Sequence, residues 1–433
     1  MSRERILLGY GAGAVSMTYD TERFDVVLPD EPAGGPLTAD ALRSRLGSPI
    51  GSAPLEEIAL PGRKVVIVVP DATRASGSAV VAPLLLERLE ASGVPDADVA
   101  FLVGAGTHRP PTAEEILRIL GPEASRRARV VHHDAFDPSR HAHFGTTSRG
   151  TPVELNRLLG EADAVVLVGA IGFHYFAGFS AGRKGLLPAC ASERAIQANH
   201  LLAFDTVRLT RAEGVASGRL DGNPVSEDME EACALFGPHF AVGTVLDAHG
   251  RIAGLYAGHW RASHRQGCAD YLAAHAAPVE AKRPLVVASC GGAPRDINMI
   301  QSHKALEHAR FLLDDEGDLI LLAECPEGLG RPDFLDWFVP GGAAATARKL
   351  VTDYKLNGQT AWGIRWKAER YRVRLVSSLP PDAVRRMGMI PHRSLDEALR
   401  EAGEGTGWIL PQGLATLPVV AGPAKAASAV KGG

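Results

Sequence analysis

Residues 64–74, KVVIVVPDATR, decide the fold class of this chain. Their continuous run of β-branched residues, Val65–Val69, is typical of a strand that is buried on both faces of a sheet. A helical segment follows at 79–93, and a second apolar strand comes after it at 98–104. Because a strand, a helix and a strand in this order form a right-handed crossover, the sequence predicts a parallel sheet covered by helices.

The same alternation continues along the chain. Thr112 and Glu115 have the spacing of a capping box, which predicts another helix. Further apolar strands are predicted at 129–134, 162–170, 283–292, 317–324 and 370–378. We therefore predict an α/β protein of two domains, 1–275 and 276–409, each with a largely parallel sheet flanked by helices. We expect the active site in the interdomain cleft and the chain end, 410–433, packed back on the first domain.

The composition excludes several classes of protein. Hydrophobic residues make up 45% of the 433 residues and charged residues 22%, as in a globular protein with a full core. The formal net charge of -4, without long runs of one sign, argues against broad binding to nucleic acid or to a membrane. Because neither a signal peptide nor a long apolar run is evident, we expect a cytoplasmic protein. The scattered cysteines show no CxxC spacing and so predict no zinc knuckle.

Polar residues follow four of the predicted strands at the point where each strand ends. In an open parallel sheet, ligands bind beyond the carboxyl ends of the strands. These ends carry a similar set of Asp, Arg and His side chains, namely Asp71 to Arg74, His108 with Arg109, His133 with Asp134, and His174. Four such ends together predict a functional site at this edge of the sheet.

Each of these residues also has a structural explanation. Asp71 and Thr73 are of types that commonly cap helices. His108 is equally well explained as a loop histidine bonded to the backbone. For His133 with Asp134 we favour the structural explanation.

The stretch 172–200, GFHYFAGFSAGRKGLLPACASERAIQANH, is rich in small residues and contains His174, Lys184 and His200. A lysine just after glycines commonly contacts a phosphate. His200 is explained either as a single metal ligand or as a helix residue that faces the core. No second His or Cys stands at a fixed helical spacing from it, so an ordinary zinc site is not predicted.

Gln301 and Lys304 are three residues apart and so lie on one face of a predicted helix. There they can bind a hydroxyl or carboxylate group, or they can simply form an exposed face. The common nucleotide and hydrolase signatures are missing, since the sequence has no GxGxxG fingerprint, no P-loop and no GxSxG elbow.

Taken together, the motifs resemble the nickel-dependent lactate racemase family. The resemblance spans about residues 5–415 and rests on the number and order of segments rather than on any one of them. These segments are DATR, GTHRPPTAEE, HYFAGFSAGRKGLLP, ANH, AVGTVLDAHGRIAGLYAGHWRASHRQGC and DINMIQSHKALEHA.

The resemblance implies a cofactor, the nickel-pincer nucleotide (pyridinium-3-thioamide-5-thiocarboxylic acid mononucleotide). In the family it is joined to the protein through a lysine, and its nickel is bound by a ring carbon, two sulfurs and a histidine. Matched position by position, Lys184 resembles the covalent anchor and His200 the nickel ligand. His108 and His174 resemble the paired proton donor and acceptor. The residues that resemble the cofactor-holding segment of the family are Asp71, Ala72, Thr73 and Arg74. Gln301 and Lys304 match positions that contact cofactor or substrate.

The implied reaction is the inversion of C2 of a small 2-hydroxy acid. One histidine takes the hydroxyl proton while the C2 hydride moves to the pyridinium ring, which leaves a planar 2-keto acid. The hydride then returns to the opposite face, and the second histidine returns the proton to the oxygen. Arg74 and Lys304 would hold the substrate carboxylate. The resemblance also implies partner proteins that build the cofactor and insert the nickel.

Two alternatives and the choice of substrate stay open. One alternative is a non-catalytic relative that binds a nucleotide or a carboxylate, although such a protein needs no pair of proton-transfer groups. The other is a metal-dependent lyase or hydrolase with His108, His133, His174 and His200 around zinc or iron, which leaves Lys184 without a role. Lactate-specific members carry a tryptophan near residues 357–370, and neither Trp362 nor Trp366 aligns to it clearly. The substrate is therefore either lactate or a larger or more polar acid, and the product either an enantiomer or an epimer.

Overall fold

The computed structural model describes residues 2–28, 35–247, 249–355 and 357–420. Their contacts divide them into two compact units. The first unit contains residues 35–203 and 211–273, and the second contains 2–28, 204–210 and 274–420. None of the helices in these ranges is long and apolar enough to cross a membrane.

The strands run along the chain in the following order. They are β1 Arg3–Tyr10, β2 Gly13–Asp20, β3 Phe24–Val26, β4 Val65–Pro70, β5 Val99–Gly104, β6 Arg129–His132, β7 His141–Thr146, β8 Pro152–Asn156, β9 Ala164–Ala170, β10 Phe173–His174, β11 Gly178–Phe179, β12 Phe204–Asp205, β13 Thr210–Arg211, β14 Phe240–Leu246, β15 Ile252–Gly258, β16 Ala276–Val279, β17 Arg283–Ser289, β18 Leu313–Leu322, β19 Arg372–Val376, β20 Ile390–His392, β21 Gly407–Leu410 and β22 Leu417–Val420.

The helices follow in the same order. They are α1 Ala39–Gly47, α2 Leu55–Ile58, α3 Ser78–Ala91, α4 Ala113–Arg127, α5 Arg157–Gly160, α6 Glu193–Leu201, α7 Pro224–Phe236, α8 Trp260–His275, α9 Met299–Ala309, α10 Gly342–Thr352, α11 Gly358–Arg370, α12 Pro381–Arg386 and α13 Leu395–Glu401. Short 3₁₀ turns lie at Asp96–Asp98, Pro138–Arg140, Gly182–Gly185, Arg310–Leu312 and Phe334–Trp337.

The first unit is built on a six-stranded sheet in the order β15-β14-β9-β4-β5-β6. β4 pairs in parallel with both β9 and β5, and only β15 at the edge runs antiparallel to its neighbour among these strands. β4 occupies the middle of the sheet because Val65–Val69 are almost completely buried on both faces. On one face of the sheet, helices that include α3 complete a core that contains Ile67, Leu85, Phe101, Val166 and Phe240.

The second unit has its own six-stranded parallel sheet in the order β20-β19-β18-β17-β21-β3. Two parallel sheets flanked by helices confirm the predicted α/β class. The chain start belongs to this second unit, because β3 pairs with β21 from the other end of the chain. The compact units therefore differ from the predicted division into 1–275 and 276–409, and whether those two ranges fold as independent domains stays a prediction.

The chain end also joins the second unit. β22 pairs in parallel with β16, and both strands belong to that unit rather than to the first. The rest of the predicted terminal segment, 421–433, lies outside the described residues.

His133, at the end of β6, is a buried structural residue, which confirms the structural explanation. Its ring is 1% exposed; Nδ1 accepts a hydrogen bond from the Asn156 amide at 3.2 Å, and Nε2 donates to the Ala191 carbonyl at 3.0 Å. Burial lowers the pKa of His133 from 6.5 to about 4. Since the unfolded chain binds this proton more readily, the stability contributed by the neutral ring is complete above pH 6.5 and is lost as the pH falls towards 4.

Replacing His133 by glutamine is therefore expected to make the stability less dependent on pH. Below pH 6.5, the free energy of unfolding of the natural chain should fall more steeply than that of the variant. The difference in slope is up to about 1.4 kcal/mol per pH unit for this one histidine. Urea unfolding at pH 7, 6 and 5 measures the two slopes. Equal slopes for the two proteins would contradict the account of His133.

Candidate functional site

The predicted site residues of the first unit follow three neighbouring strands. Asp71 comes directly after β4, His108 lies in the loop after β5, and the segment after β9 carries His174 and Lys184. Because β4 lies between β9 and β5 in the sheet, the carboxyl ends of these strands bring the following segments to one edge.

Asp71 and His108 form a hydrogen-bonded pair. His108 Nδ1 lies 2.7 Å from Asp71 Oδ2, and the Thr73 hydroxyl donates to Asp71 Oδ1 at 2.8 Å. Burial raises the pKa of Asp71, but the bonds from His108 and Thr73 and the charge of Arg74 outweigh it, so the pKa lies below its usual value. Because an ionised carboxylate only accepts hydrogen bonds, Nδ1 of His108 carries a proton and Nε2 of the neutral ring is left as a base.

The loop that carries His108 is held against α4. The Thr112 hydroxyl and the Glu115 carboxylate form the predicted capping box, which is confirmed. Arg109 donates two further hydrogen bonds to the same carboxylate, at 2.7 and 2.6 Å. The bonds from Arg109 and from the Thr112 backbone lower the pKa of Glu115 to about 2, so this anchor is ionised at neutral pH.

Phe176 gathers three of the predicted site residues around one ring. Its centroid lies 4.5 Å from the His174 ring and 4.8 Å from the His200 ring, and the Lys184 ammonium nitrogen lies 5.5 Å from it. Phe176 itself is buried. Its place in the site was not predicted from the sequence, although its position among the aromatic residues of HYFAGF was a usable signal.

His174 lies in the short hairpin formed by β10 and β11. The backbone N–H of Ala177 donates to His174 Nδ1 at 3.3 Å. With Nδ1 as an acceptor, the neutral ring carries its proton on Nε2. His174 therefore presents a hydrogen-bond donor at Nε2, whereas His108 presents a base at its own Nε2.

Lys184 lies in a 3₁₀ turn, Gly182–Gly185, and is half-buried. Burial lowers the pKa of Lys184 well below its usual value, and the positive charges of Arg183 and Arg74 lower it further. A neutral amine is a nucleophile that can form an amide or thioamide bond, whereas an ammonium group cannot.

His200 lies in the last turn of α6, a helix capped by the Ser192 side chain. It is 8% exposed, and burial lowers its pKa to about 3, so the ring is neutral. Within the described part of the chain, the buried Nδ1 makes no hydrogen bond. The nearby Ile196 carbonyl raises the pKa of the ring, but burial outweighs it. A neutral imidazole is the form that binds a metal.

Comparison with known proteins identifies the family. The family models of the lactate racemase N-terminal and C-terminal domains match residues 10–210 and 279–415. The chain is 30% identical to a lactate racemase of Lactiplantibacillus plantarum, over 93% of this chain and 99% of that protein. It belongs to the lactate racemase family. It is therefore a racemase, which is a kind of isomerase.

Further relatives agree with this assignment. A lactate racemase of Thermoanaerobacterium thermosaccharolyticum is 32% identical over 75% of this chain and 77% of that protein. The structure of the lactate racemase apoprotein from that organism matches with a TM-score of 0.88 and 27% identity, covering 96% of this chain and 100% of that one. A protein from Thermotoga maritima shares the fold, with a TM-score of 0.70 and 20% identity over 90% of this chain and 99% of that one.

The remaining predicted residues of this lactate racemase family member lie in several places. Ala72 and Arg74 are exposed in the turn after β4. Gln301 and Lys304 lie on α9 of the second unit, where the Lys304 amine donates to Gln301 Oε1 at 2.6 Å. Trp362 is buried in the core of the second unit with its ring 5.1 Å from that of Phe204, so it fills that core.

The donor set around His200 is not that of an ordinary zinc or iron site. Among the residues that the structure describes, one set of three or more His, Cys, Asp or Glu side chains is close enough to hold a metal, namely His392, Glu397 and Glu401 of the second unit. Both ring nitrogens of His133 already make hydrogen bonds. The alternative with four histidines around one metal is therefore not supported by the described residues.

Proposed function

We propose that the chain inverts C2 of a small 2-hydroxy acid with the help of a nickel-pincer nucleotide joined to Lys184. The observation that carries the proposal is the cluster around Phe176, which combines a lysine of lowered pKa, a neutral buried histidine and His174. The Asp71–His108 pair is linked to it electrostatically, because the charge of Arg74 acts on both Asp71 and Lys184.

The residues present fit the cofactor. Lys184 would hold it through a thioamide bond, and His200 would bind its nickel, since imidazole is a suitable nickel ligand. The turn after β4, in which Asp71 is buried and Ala72, Thr73 and Arg74 are exposed, would contact its remaining groups. When bound, the cofactor supplies the hydride acceptor and donor for C2.

The two histidines are prepared for opposite tasks. His108 accepts the hydroxyl proton at Nε2, while Asp71 fixes the ring and stabilises its protonated form. His174 offers Nε2–H to the substrate oxygen on the other side. The reverse reaction exchanges the two tasks.

Several finer points remain part of the proposal. Arg74 is proposed to bind the substrate carboxylate, and the contacts of Gln301 and Lys304 with substrate or cofactor stay predictions. The proposed substrate class is a 2-hydroxy acid, and the first candidate is lactate, since the relatives are lactate racemases. Dedicated proteins for cofactor synthesis and nickel insertion, and a cytoplasmic location, are proposed on the same grounds.

Replacing Asp71 by asparagine is expected to lower kcat about 100-fold, because the His108 ring loses the carboxylate that fixes its tautomer and stabilises its charge. KM should change far less, since Asp71 does not bind the substrate in this scheme. Asp137→Asn, at a carboxylate that accepts hydrogen bonds from Ser139 and is not among the site residues, serves as the matched control and should leave kcat near its natural value. A D71N protein with unchanged kcat would show that the pair has no catalytic role.

The proposed function is tested by a substrate screen on protein co-expressed with the cofactor-building and nickel-inserting proteins. Enantiopure 2-hydroxy acids of increasing size and polarity are incubated without added redox cofactor, and chiral chromatography follows the appearance of the inverted product. Inversion of at least one acid supports the proposal. Absence of inversion with all of them, in protein shown to carry the cofactor, would contradict it.

A further inference from the structure

Asn223 is completely buried and caps α7. Its Oδ1 accepts hydrogen bonds from the backbone N–H groups of Val225 and Ser226 at 3.2 and 3.4 Å. Its Nδ2 donates to the carbonyls of Phe176 and Arg219 at 2.9 and 3.1 Å. Because the oxygen faces two donors and the nitrogen faces two acceptors, only one orientation of the amide satisfies all four partners.

The peptide group between Phe176 and Ala177 connects Asn223 to His174. Its carbonyl accepts from Asn223, and its N–H donates to His174 Nδ1 at 3.3 Å. A peptide group is planar, so a donor that fixes the carbonyl also fixes the direction of the N–H. Two hydrogen bonds in series through one amide polarise each other in the same sense, which strengthens both.

The rest of this turn is held in a similar way. The Ala177 carbonyl accepts from Nη2 of Arg183 at 2.7 Å, and Arg183 is only 2% exposed. The Gly178 carbonyl accepts from the backbone N–H of Gly218 at 2.9 Å. Gly178 has a φ of +77°, and a Cβ there would lie 2.0 Å from the Arg219 carbonyl oxygen. The turn therefore cannot reorient while the segment before α7 stays in place.

From this geometry we propose that Asn223 is a positioning residue that sets the ring tautomer and orientation of His174 through the Phe176–Ala177 peptide group. The catalytic consequence rests on the function proposed for His174 above. The structural part does not, because it concerns the tautomer of a ring in the chain as purified.

The test uses Asn223→Asp and Asn223→Ser. Aspartate and serine cap helices well, so α7 keeps its cap, but neither can donate through Nδ2 to the Phe176 carbonyl. The ring nitrogens of His174 are observed by NMR in the full chain labelled with 15N-histidine, and His174→Gln identifies its signals among the 15 histidines. The natural chain should show the proton on Nε2, and both variants should show a mixture of tautomers or a protonated ring. The serine variant decides the test if the aspartate variant does not fold.

The matched control is Asn156→Asp. Asn156 is also a buried helix cap, with Oδ1 accepting from Leu158 at 3.1 Å, but its amide meets His133 and not the turn of His174. In this variant the His133 signals should change and those of His174 should not. In cofactor-loaded protein, we expect N223S to lower kcat about 10- to 100-fold, the loss expected for a partly misplaced acid–base group, and to change KM by less than about twofold. We expect N156D to leave kcat and KM near their natural values.

The outcomes separate this inference from the proposed function. A His174 tautomer that stays on Nε2 in both Asn223 variants overturns the inference, whatever the activity. A changed tautomer in the Asn223 variants but not in N156D supports the inference, even if the natural chain inverts no 2-hydroxy acid.

Discussion

Replacing Lys184 by arginine is expected to give a folded chain that carries no nucleotide and shows no racemase activity. The lysine amine has a lowered pKa because of burial and the positive charges of Arg183 and Arg74, and a neutral amine can form the thioamide bond to the cofactor. A guanidinium group stays protonated at neutral pH and cannot form that bond. Activity should fall at least about 1,000-fold, as for the loss of a group essential to the chemistry.

The measurement is the intact mass of protein co-expressed with the cofactor-building proteins. The natural chain should show an added mass of mononucleotide size that proteolysis places on Lys184, and K184R should show none. Lys64→Arg, an exposed lysine next to β4, serves as the control and should keep both the added mass and the activity. An unchanged adduct in K184R would mean that the cofactor is attached elsewhere.

Replacing His108 or His174 by glutamine is expected to stop turnover while the cofactor stays bound. Each ring transfers a proton to or from the substrate oxygen in the proposed scheme, and loss of such a group costs about 100- to 10,000-fold in kcat. Neither ring is proposed to hold the nucleotide. Mass and nickel content should therefore match those of the natural chain.

His200→Gln provides the contrast to this pair. It removes the buried neutral imidazole proposed to bind the nickel, so the nickel content should fall to near zero together with the activity. If H174Q kept full activity, the scheme with two proton-transfer groups would be wrong. If H200Q kept both its nickel and its activity, His200 would not be the nickel ligand.

Local sequence patterns predicted the parallel sheets well. The apolar run Val65–Val69 is buried on both faces, as its composition indicates, and the capping box of Thr112 and Glu115 forms as its spacing predicts. The carboxyl-end rule also placed Asp71 and His108 near each other, because the residues that follow neighbouring parallel strands share one edge.

Contacts between distant segments could not be read from the sequence. β3 pairs with β21 from the far end of the chain, and nothing in the sequence around Phe24–Val26 specifies that partner. Asn223 was not singled out from the sequence, because its contact with Phe176 depends on how two loops pack. Arg183 was not singled out either, because its burial against the Ala177 carbonyl depends on how the chain folds around it.

The central claim is that the chain inverts C2 by removing and returning the same hydrogen as a hydride, while the histidines move only the hydroxyl proton. The most direct measurement is the inversion of an enantiopure 2-hydroxy acid that carries deuterium at C2, in ordinary water, by the cofactor-loaded protein. The account predicts that the inverted product keeps its deuterium. Replacement of that deuterium by solvent hydrogen at the rate of inversion would contradict it, because it would show that C2 loses a proton to a protein base instead.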